Sequence, residues 1–544
     1  MKKLVIFFAI CLVSFNCSKG GDDSSTSSFV PTPKPEPEET TTQYTLTVSA
    51  GDGGSVSTEG GTYDEGTQIT ITATTDQGYS FVSWSDGNKD ITRTVVLSSN
   101  LSLSAEFIGE IVLTRSTITG SPDQVKTGFS MMGIFQLDDE NIFFVPSDFF
   151  TLPTYPLLHL KREDKWSLER VYDEYSDMQV WRDIKKIDEN NFVVADQGIE
   201  FGQEDRDQIV DLSLLDMGET YHFNFENNQL NRTTLSSNRA FFHSIDIGDL
   251  DNDNRIDIVS MYMATPSGFE DKNKGTKMNL FTTDVNSNIL IDKTDKIKPL
   301  DFNSNSCGAI IIDEFTGDGV LDLIKFGYKD VIGYDLPDDF TYSYELLSLD
   351  SDTNLIEMKI RKDRFSEFPS NFGIAWVRSD DIDGDRDNDL IIYMEEGNGG
   401  FKIDSWINDS KGNFSFNQRI LSNQEIQEEG KTTQSRDFEM FDFDDDGDLD
   451  LFVQPLGQIT YPINFSKYIY INNNGVFEIF DRDLIWDQDP SNNNEIIPLF
   501  YLKFIKVNGS PGYLGFKNFD EKTGMQVEDG RLELYEFIFN IKKN

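Results

Sequence analysis

The feature that constrains this chain most is an acidic segment that recurs four times at nearly even intervals. The last copy, FDFDDDGDLD at 441–450, holds six aspartates in ten residues. The copies begin at Asp249, Glu314, Asp381 and Asp442, so successive starts are separated by 65, 67 and 61 residues. Recurrence at a fixed period indicates that each repeat is one supersecondary unit. We name the four segments the first, second, third and fourth acidic loops: 249–257, 314–322, 381–389 and 442–450.

Each acidic loop is followed by an apolar run typical of a β-strand, for example LDLFVQPL after the fourth loop. Turns with aromatic residues come later in some repeats, at 221–230, 406–416 and 470–480. Degenerate copies of the loop lie at 137–145, 187–196 and 507–516, which extends the series to seven units. We therefore predict an all-β chain: a small antiparallel β module followed by a seven-bladed β-propeller over 110–544. A solenoid of seven units is the alternative.

The loops follow the pattern D-x-D-x-D-x-x-x-D, which places several carboxylates around one point. Like charges this close repel, and a hard cation with six or seven oxygen ligands would neutralise them. The alternative is a set of solvated acidic turns without metal. Thr316 offers only a neutral oxygen, so we expect the second loop to be the weakest site. The predicted calcium ligands are Asp249, Asp251, Asp253, the Arg255 carbonyl and Asp257; Glu314, Thr316, Asp318, the Val320 carbonyl and Asp322; Asp381, Asp383, Asp385, the Asp387 carbonyl and Asp389; and Asp442, Asp444, Asp446, the Asp448 carbonyl and Asp450.

These loops do not fit an EF-hand, which needs a glutamate at position twelve. Ser260, Ile392 and Val453 stand there instead. A carboxylate at position nine followed by Leu or Ile resembles the FG-GAP/VCBS repeat family, which includes the integrin α-subunit propeller. The resemblance implies calcium loops on one face of a propeller. Asn254 and Arg386 replace the glycine that the family usually has at position six.

The N-terminus has two lysines and an apolar run of twelve that ends just before Asn16 and Cys17. This layout is typical of a signal peptide and too short for a transmembrane helix. It resembles a bacterial lipoprotein signal, although Ser14 and Asn16 depart from the usual residues. The resemblance implies a signal peptide at 1–17, a lipidated Cys17 and an outer-membrane lipoprotein exposed at the cell surface. Ordinary secretion is the alternative.

Residues 18–43 form a Ser/Thr/Pro-rich tether, and 44–108 alternate with period two between glycines, as antiparallel strands do. The second segment resembles the internalin-type B-repeat family, which implies a surface spacer or adhesion module. Phe81 and Trp84 could instead form a ligand platform. The core positions that the resemblance implies are Tyr63, Tyr79, Phe81, Trp84 and Phe107.

The net charge of −48 argues against nucleic-acid binding and against docking of the protein body on an anionic membrane. The chain has three histidines and no zinc-protease, phosphate-loop, dinucleotide or nucleophile-elbow motif. We expect His243, just before the first acidic loop, to be a packed strand residue rather than a base.

The sequence therefore predicts a calcium-binding surface lipoprotein, not an enzyme, that binds a protein or a glycan through a propeller face. We expect a monomer whose only membrane contact is its lipid anchor. The alternative is a lyase or hydrolase that acts on polysaccharide in the propeller channel, and a passive spacer is a third possibility. A cluster of Trp, Arg and paired acids around the channel would favour the enzyme.

Overall fold

The structure is a computed structural model. The predicted signal peptide, Cys17 and the predicted tether up to residue 40 lie outside the part of the chain that it describes. Within that part, no helix is long and apolar enough to span a membrane. The described residues are 41–109, 111–118, 133–145, 156–163, 166–178, 180–198, 218–235, 239–240, 242–262, 277–283, 290–298, 307–327, 342–363, 365–368, 372–396, 400–422, 433–444, 446–460, 463–481, 484–486, 498–517 and 533–541.

The chain divides into two compact units, and each is described by itself. The first contains the described residues up to Thr74 together with Phe81–Glu106, and the second contains Thr75–Ser80 and everything from Phe107 onward. The predicted boundaries at 44, 108 and 110 stay predictions.

The first unit is built from short strands of alternating burial, as the period-two sequence predicts. Its strands are β1 (Gln43–Ala50), β2 (Gly54–Val56), β3 (Gly60–Asp64), β4 (Gln68–Thr75), β5 (Tyr79–Trp84), β6 (Thr92–Val96) and β7 (Leu101–Gly109). They form two sheets, ordered β3-β1-β7-β5 and β2-β4-β6. One pair departs from the predicted antiparallel arrangement, because β1 and β7 run parallel. The long connection between these strands leaves room for a parallel return.

Aromatic residues predicted for the core of this segment differ in burial. Trp84 is completely buried, and Phe107 is also buried. Tyr63, Tyr79 and Phe81 are half-buried. Phe81 packs edge-on against Trp84, with 5.8 Å between ring centroids. This contact favours a core role over an exposed ligand platform.

The second unit is a series of four-stranded antiparallel sheets. It begins with β8 (Ile111–Ile118), and five separate sheets follow, in each of which neighbours in sequence are neighbours in space. These sheets are β9 (Ile134–Gln136), β10 (Asn141–Phe144), β11 (Leu157–Arg162) and β12 (Trp166–Tyr172); β13 (Trp181–Lys186), β14 (Asn191–Asp196), β15 (Thr220–Glu226) and β16 (Gln229–Thr234); β17 (Phe242–Gly248), β18 (Asp257–Tyr262), β19 (Lys277–Thr283) and β20 (Leu290–Asp292); β21 (Cys307–Asp313), β22 (Asp322–Gly327), β23 (Tyr342–Asp350) and β24 (Leu355–Asp363); and β25 (Phe372–Asp380), β26 (Asp389–Glu396), β27 (Phe401–Ile407) and β28 (Ser415–Ser422).

The remaining strands join β8 in one nine-stranded sheet. They are β29 (Thr433–Phe441), β30 (Asp450–Thr460), β31 (Ile469–Asn473), β32 (Val476–Ile479), β33 (Leu484–Trp486), β34 (Pro498–Val507), β35 (Ser510–Lys517) and β36 (Glu533–Ile541). Here β8, from the start of the unit, pairs antiparallel with β36, from its end. Three short 3-10 turns are also described, at Asp173–Tyr175, Thr294–Lys296 and Phe465–Tyr468.

Every predicted repeat marker lies at the same place in its sheet. The four acidic loops join β17 to β18, β21 to β22, β25 to β26 and β29 to β30. The degenerate copies contain the turns between β9 and β10, β13 and β14, and β34 and β35. The strand after each loop is central in its sheet, and β18 is buried along its whole length. Because side chains on both faces of such a strand are buried, its sequence is a continuous apolar run rather than an alternating one.

Buried apolar clusters connect each sheet to the next and finally return to the first. For example, Trp181 joins residues of β9–β12 to those of β13–β16. At the other end, Leu514 and Ile538 pack with Leu158 and Trp166, so the last strands share a core with the first sheet. Such a cycle, together with the β8–β36 pairing, defines a closed β-propeller and contradicts the solenoid alternative. The count of seven blades stays a prediction, because the nine-stranded sheet continues without a break from β29 to β36.

Candidate metal sites and the channel

The four acidic loops share a left-handed backbone at one position. At position six, φ is positive in all four: 62° at Asn254, 80° at Gly319, 78° at Arg386 and 101° at Gly447. Left-handed backbone favours glycine and, among other residues, asparagine. Arg386 adopts this conformation although it is neither glycine nor asparagine. The two loops that lack the family's glycine therefore keep a positive φ at position six.

The first carboxylate of each loop accepts hydrogen bonds from backbone N–H groups that follow it. Asp249 accepts from the N–H groups of Asp253 and Asn254 at 2.9 and 2.7 Å. Asp381 accepts from those of Gly384 and Arg386 at 2.8 and 3.0 Å. This inward turn of the backbone explains how alternate side chains of a short loop can converge on one point.

The carboxylate at position nine is completely buried in every loop. One of its oxygens accepts the N–H of the buried apolar residue at position two, for example from Ile382 to Asp389 at 3.2 Å and from Phe443 to Asp450 at 2.6 Å. Burial raises the pKa of Asp257 to about 6, that of Asp389 to about 7 and that of Asp450 to about 8. Burial also raises the pKa of Asp322. In each loop, burial therefore disfavours the ionised form of this acid, and a cation beside it would favour that form.

Three of the loops bring carboxylates together as a cation site requires. In each, one oxygen from each of three aspartates lies within 4.8 Å of the other two. The three sets are Asp249, Asp251 and Asp257; Asp381, Asp383 and Asp385; and Asp442, Asp444 and Asp450. Asp253, Asp389 and Asp446 are predicted ligands outside these sets. Among the described residues no such set forms in the second loop, where Glu314 accepts the N–H groups of Thr316 and Asp318.

Unpaired buried oxygens test whether these residues fit a metal ion. Oδ1 of Asp251 and Oδ1 of Asp387 are buried and accept no hydrogen bond. An acceptor in that position costs free energy unless a donor or a cation reaches it. Every side chain in the three sets is a carboxylate, which suits a hard cation such as calcium rather than a soft metal. The residues therefore fit calcium.

Two asparagines that sequence reasoning did not single out tie neighbouring blades together at these loops. The Asn472 backbone N–H donates to Asp450 at 2.8 Å, and its side-chain Nδ2 donates to the Ile382 carbonyl of the third loop at 2.9 Å. Asn408 does the same one repeat earlier: its N–H donates to Asp389, and its Nδ2 donates to the Phe315 carbonyl at 3.0 Å. Both asparagines lie in the repeated turn segments at 406–416 and 470–480, which mark the region but not the hydrogen bonds.

The second candidate site is a cavity of about 440 Å³ lined mainly by first strands of several sheets, including β9, β13, β25, β29 and β34. Arg182 lies over the Trp376 ring, 4.7 Å from its centroid. Arg378 pairs with Asp437 at 3.3 Å and with Glu439 at 3.6 Å. Trp, Arg and paired acids therefore meet in this cavity, which is the arrangement that would favour the enzyme alternative.

The two acids that pair with Arg378 have pKa values shifted in opposite directions. Burial raises the pKa of Asp437. Burial also acts to raise the pKa of Glu439, but Arg378 and Lys503 outweigh it and the pKa is lowered. Lys503 lies 3.7 Å from Glu439. Opposed pKa shifts in adjacent carboxylates are one arrangement that separates an acid from a base.

His243 is packed in β17, as expected. It is buried, and burial together with the nearby Arg182 lowers its pKa to about 3. The imidazole is therefore neutral at pH 7.

Comparison with known families supports both halves of the sequence interpretation. Residues 44–109 match the divergent InlB B-repeat domain, and residues 381–453 match the FG-GAP-like repeat. The second match spans the third and fourth acidic loops. The chain thus carries a divergent InlB B-repeat and an FG-GAP-like repeat. Elsewhere in the chain, the resemblance to the FG-GAP family rests on the recurring acidic loops alone. No curated protein matches the chain.

Several solved structures are similar to part of the chain. The Aleuria aurantia lectin, a fungal lectin with a six-bladed β-propeller fold and fucose recognition, is 11% identical over 69% of this chain and 95% of its own, with a TM-score of 0.29. AofleA from Arthrobotrys oligospora is 6% identical over 71% and 92%, with a TM-score of 0.35. A proposed 6-phosphogluconolactonase from Bacteroides fragilis is 10% identical over 65% and 84%, with a TM-score of 0.36. At such scores these likenesses carry no functional conclusion.

Proposed function

We propose that the second unit is a calcium-loaded β-propeller that binds a protein or glycan at the cell surface. The observation that carries the calcium proposal is the convergence of three carboxylates in each of three equivalent loops. In this proposal the first, third and fourth acidic loops each hold one ion, and the second loop binds weakly or not at all.

The ions would act structurally. Each loop joins the first strand of a sheet to its buried second strand, and its ninth carboxylate is buried at the start of that strand. A bound cation would keep that carboxylate ionised without the cost of leaving a buried charge alone. It would also fix the loop surface on which a partner could dock.

Unfolding of the mature chain in calcium and in excess EDTA tests the calcium proposal. We expect calcium to raise the unfolding temperature and metal analysis to return three ions per chain. The matched variants are Asp383→Asn in the third loop and Asp352→Asn in an exposed turn outside the acidic loops. Only Asp383→Asn should reduce the calcium effect. An equal effect of both variants, or no bound metal, would contradict the proposal.

Binding of a glycan is tested on an array of bacterial and host glycans with the calcium-loaded chain and with the EDTA-treated chain. Calcium-dependent binding to a defined sugar class supports this part of the proposal. If no glycan binds while the metal sites are filled, the glycan part of the proposal is wrong and a protein partner is the remaining hypothesis. We further propose anchoring through a lipidated Cys17, which a Cys17→Ala variant should abolish in a labelled-palmitate assay.

A second candidate function is an enzyme that acts on polysaccharide in the channel cavity. The specific observation is the meeting of Trp376, Arg182, Arg378 and the acid pair Asp437 and Glu439. Asp437, with its raised pKa, would donate a proton, and the cations would hold an acidic sugar.

The assay for this candidate follows new reducing ends and ultraviolet-absorbing products on neutral and acidic polysaccharides. Activity that disappears in both Asp437→Asn and Glu439→Gln, with calcium binding intact, would establish the enzyme. No product from any polymer class, or activity that survives both changes, would reject it.

A further inference from the structure

A lysine that directly follows β20 reaches into the first acidic loop. Lys293 Nζ lies 3.0 Å from Oδ2 of Asp251 and 3.2 Å from Oδ2 of Asp253. These are the third and fifth positions of the loop, and Asp251 belongs to the set of converging carboxylates. The lysine side chain is only 17% exposed, so its ammonium group is held against the loop rather than free in solvent.

The backbone around Lys293 is fixed in a way that aims the side chain at the loop. Lys293 directly follows β20, and its N–H donates to the Leu280 carbonyl of β19 at 2.8 Å. The next residue, Thr294, accepts the Leu280 N–H through its hydroxyl at 3.1 Å. Two hydrogen bonds to one residue of the neighbouring strand anchor this corner, so the lysine is part of the site's construction.

The third loop provides the contrast. Within the described part of the chain, no Lys or Arg forms an ion pair with any carboxylate of 381–389, and the neighbour that reaches Asp387 is the Ser410 hydroxyl at 2.6 Å. The first loop also places Arg255 on Asp253, with Nε at 2.9 Å. The first loop thus has two cationic side chains where the third has a neutral one.

We propose that Lys293 is a built-in counter-ion of the first acidic loop and competes with the metal ion for Asp251. This inference rests on the proposed calcium binding of the loops. An ammonium group and a divalent cation that share Asp251 repel each other, so the ion must displace the lysine as it binds. The first loop therefore binds calcium more weakly than the third, and it stays charge-compensated when calcium is absent. Of these two loops, the first fills last.

The test uses Lys293→Met, which keeps an unbranched side chain only one atom shorter and removes the charge. The matched control is Lys298→Met, because Lys298 lies five residues away and pairs with Glu357 outside the acidic loops. Calcium titration by calorimetry measures the affinity classes of the full mature chain. An Asp251→Asn variant identifies the class that belongs to the first loop, which should vanish in it.

We expect the first loop to be a weaker calcium site than the third in the natural chain, and we expect this weak site to be at least tenfold tighter in Lys293→Met. The same variant should unfold at a lower temperature than the natural chain in EDTA, because the loop loses its counter-ion. In saturating calcium it should unfold at an equal or higher temperature. Lys298→Met should neither tighten the weak site nor change the unfolding temperature in opposite directions in EDTA and in calcium.

Two failures are distinguishable. If the third and fourth loops bind calcium while Lys293→Met leaves the weak site unchanged or weakens it, the competition is wrong and the proposed function stands. If no loop binds calcium in any variant, both the proposed function and the competition are wrong.

Discussion

Removing one charge from the third acidic loop should destabilise the folded chain in calcium but not in EDTA. Asp385 belongs to the converging set with Asp381 and Asp383, and its Oδ1 accepts the Asp387 N–H at 3.1 Å. In Asp385→Asn the amide oxygen can keep that hydrogen bond, so the substitution removes charge and little else. The variant thus separates metal binding from loop geometry.

The magnitude follows from linkage. At ~1 mM calcium and a dissociation constant of ~0.1 mM, one bound ion stabilises the folded chain by about 1.4 kcal/mol. Asp385→Asn should lose most of this in calcium. In EDTA the remaining carboxylates repel less, because the charge of Asp385 helps raise the pKa of Asp383 after the larger effect of burial. Stability there should be unchanged or higher by a few tenths of a kcal/mol, roughly the value of one exposed charge pair.

Urea unfolding followed by tryptophan fluorescence, in calcium and in EDTA, measures both quantities. Asp352→Asn is the control, since it removes one exposed aspartate outside the acidic loops. An equal loss of unfolding free energy in EDTA and in calcium would contradict this prediction, because the carboxylate would then act through loop geometry alone.

Three further predictions concern other parts of the second unit. Asn472→Ala removes the side-chain donor to the Ile382 carbonyl and should weaken calcium binding by the third loop, measured by calorimetry; unchanged affinity would mean that the tether does not support the site. A chain that begins at residue 119 lacks β8 and should lose the cooperative unfolding of a chain that begins at residue 107, because β36 is left with an open edge; equal unfolding curves would contradict ring closure by β8. His159 is buried, and burial lowers its pKa from 6.5 to about 4, so the unfolded chain binds more protons between these values and stability falls as the pH drops through that window. His159→Gln should remove about 2 kcal/mol of the loss between pH 7 and pH 5 in urea unfolding, and a parallel pH profile for both chains would show that this histidine is not responsible.

Much of the propeller could be predicted because its signals are local and repeated. The spacing of the acidic loops places each of them between the first and second strand of a sheet, and even the degenerate copy at 187–196 lies there. The positive φ at Asn254 and Arg386 follows from the same register, although neither residue is glycine.

Other features could not be predicted because they depend on partners distant in sequence. The closure by β8 joins the start of the unit to its end, and nothing in the strand's sequence, IVLTRSTI, indicates a partner so far along the chain. Lys293 lies 42 residues after Asp251, so only the folded sheet reveals that it reaches the first loop. Nothing in the sequence around Asn472 indicates its hydrogen bond to the Ile382 carbonyl, which only the structure shows.

A crystal structure grown in calcium, with anomalous data from a lanthanide that replaces it, would locate the bound ions directly. We predict one peak within each of the three aspartate sets, at Asp249, Asp251 and Asp257; at Asp381, Asp383 and Asp385; and at Asp442, Asp444 and Asp450. In the first loop, Lys293 should have moved away from Asp251. Acidic loops without anomalous peaks, at saturating metal, would contradict the account and identify them as solvated turns.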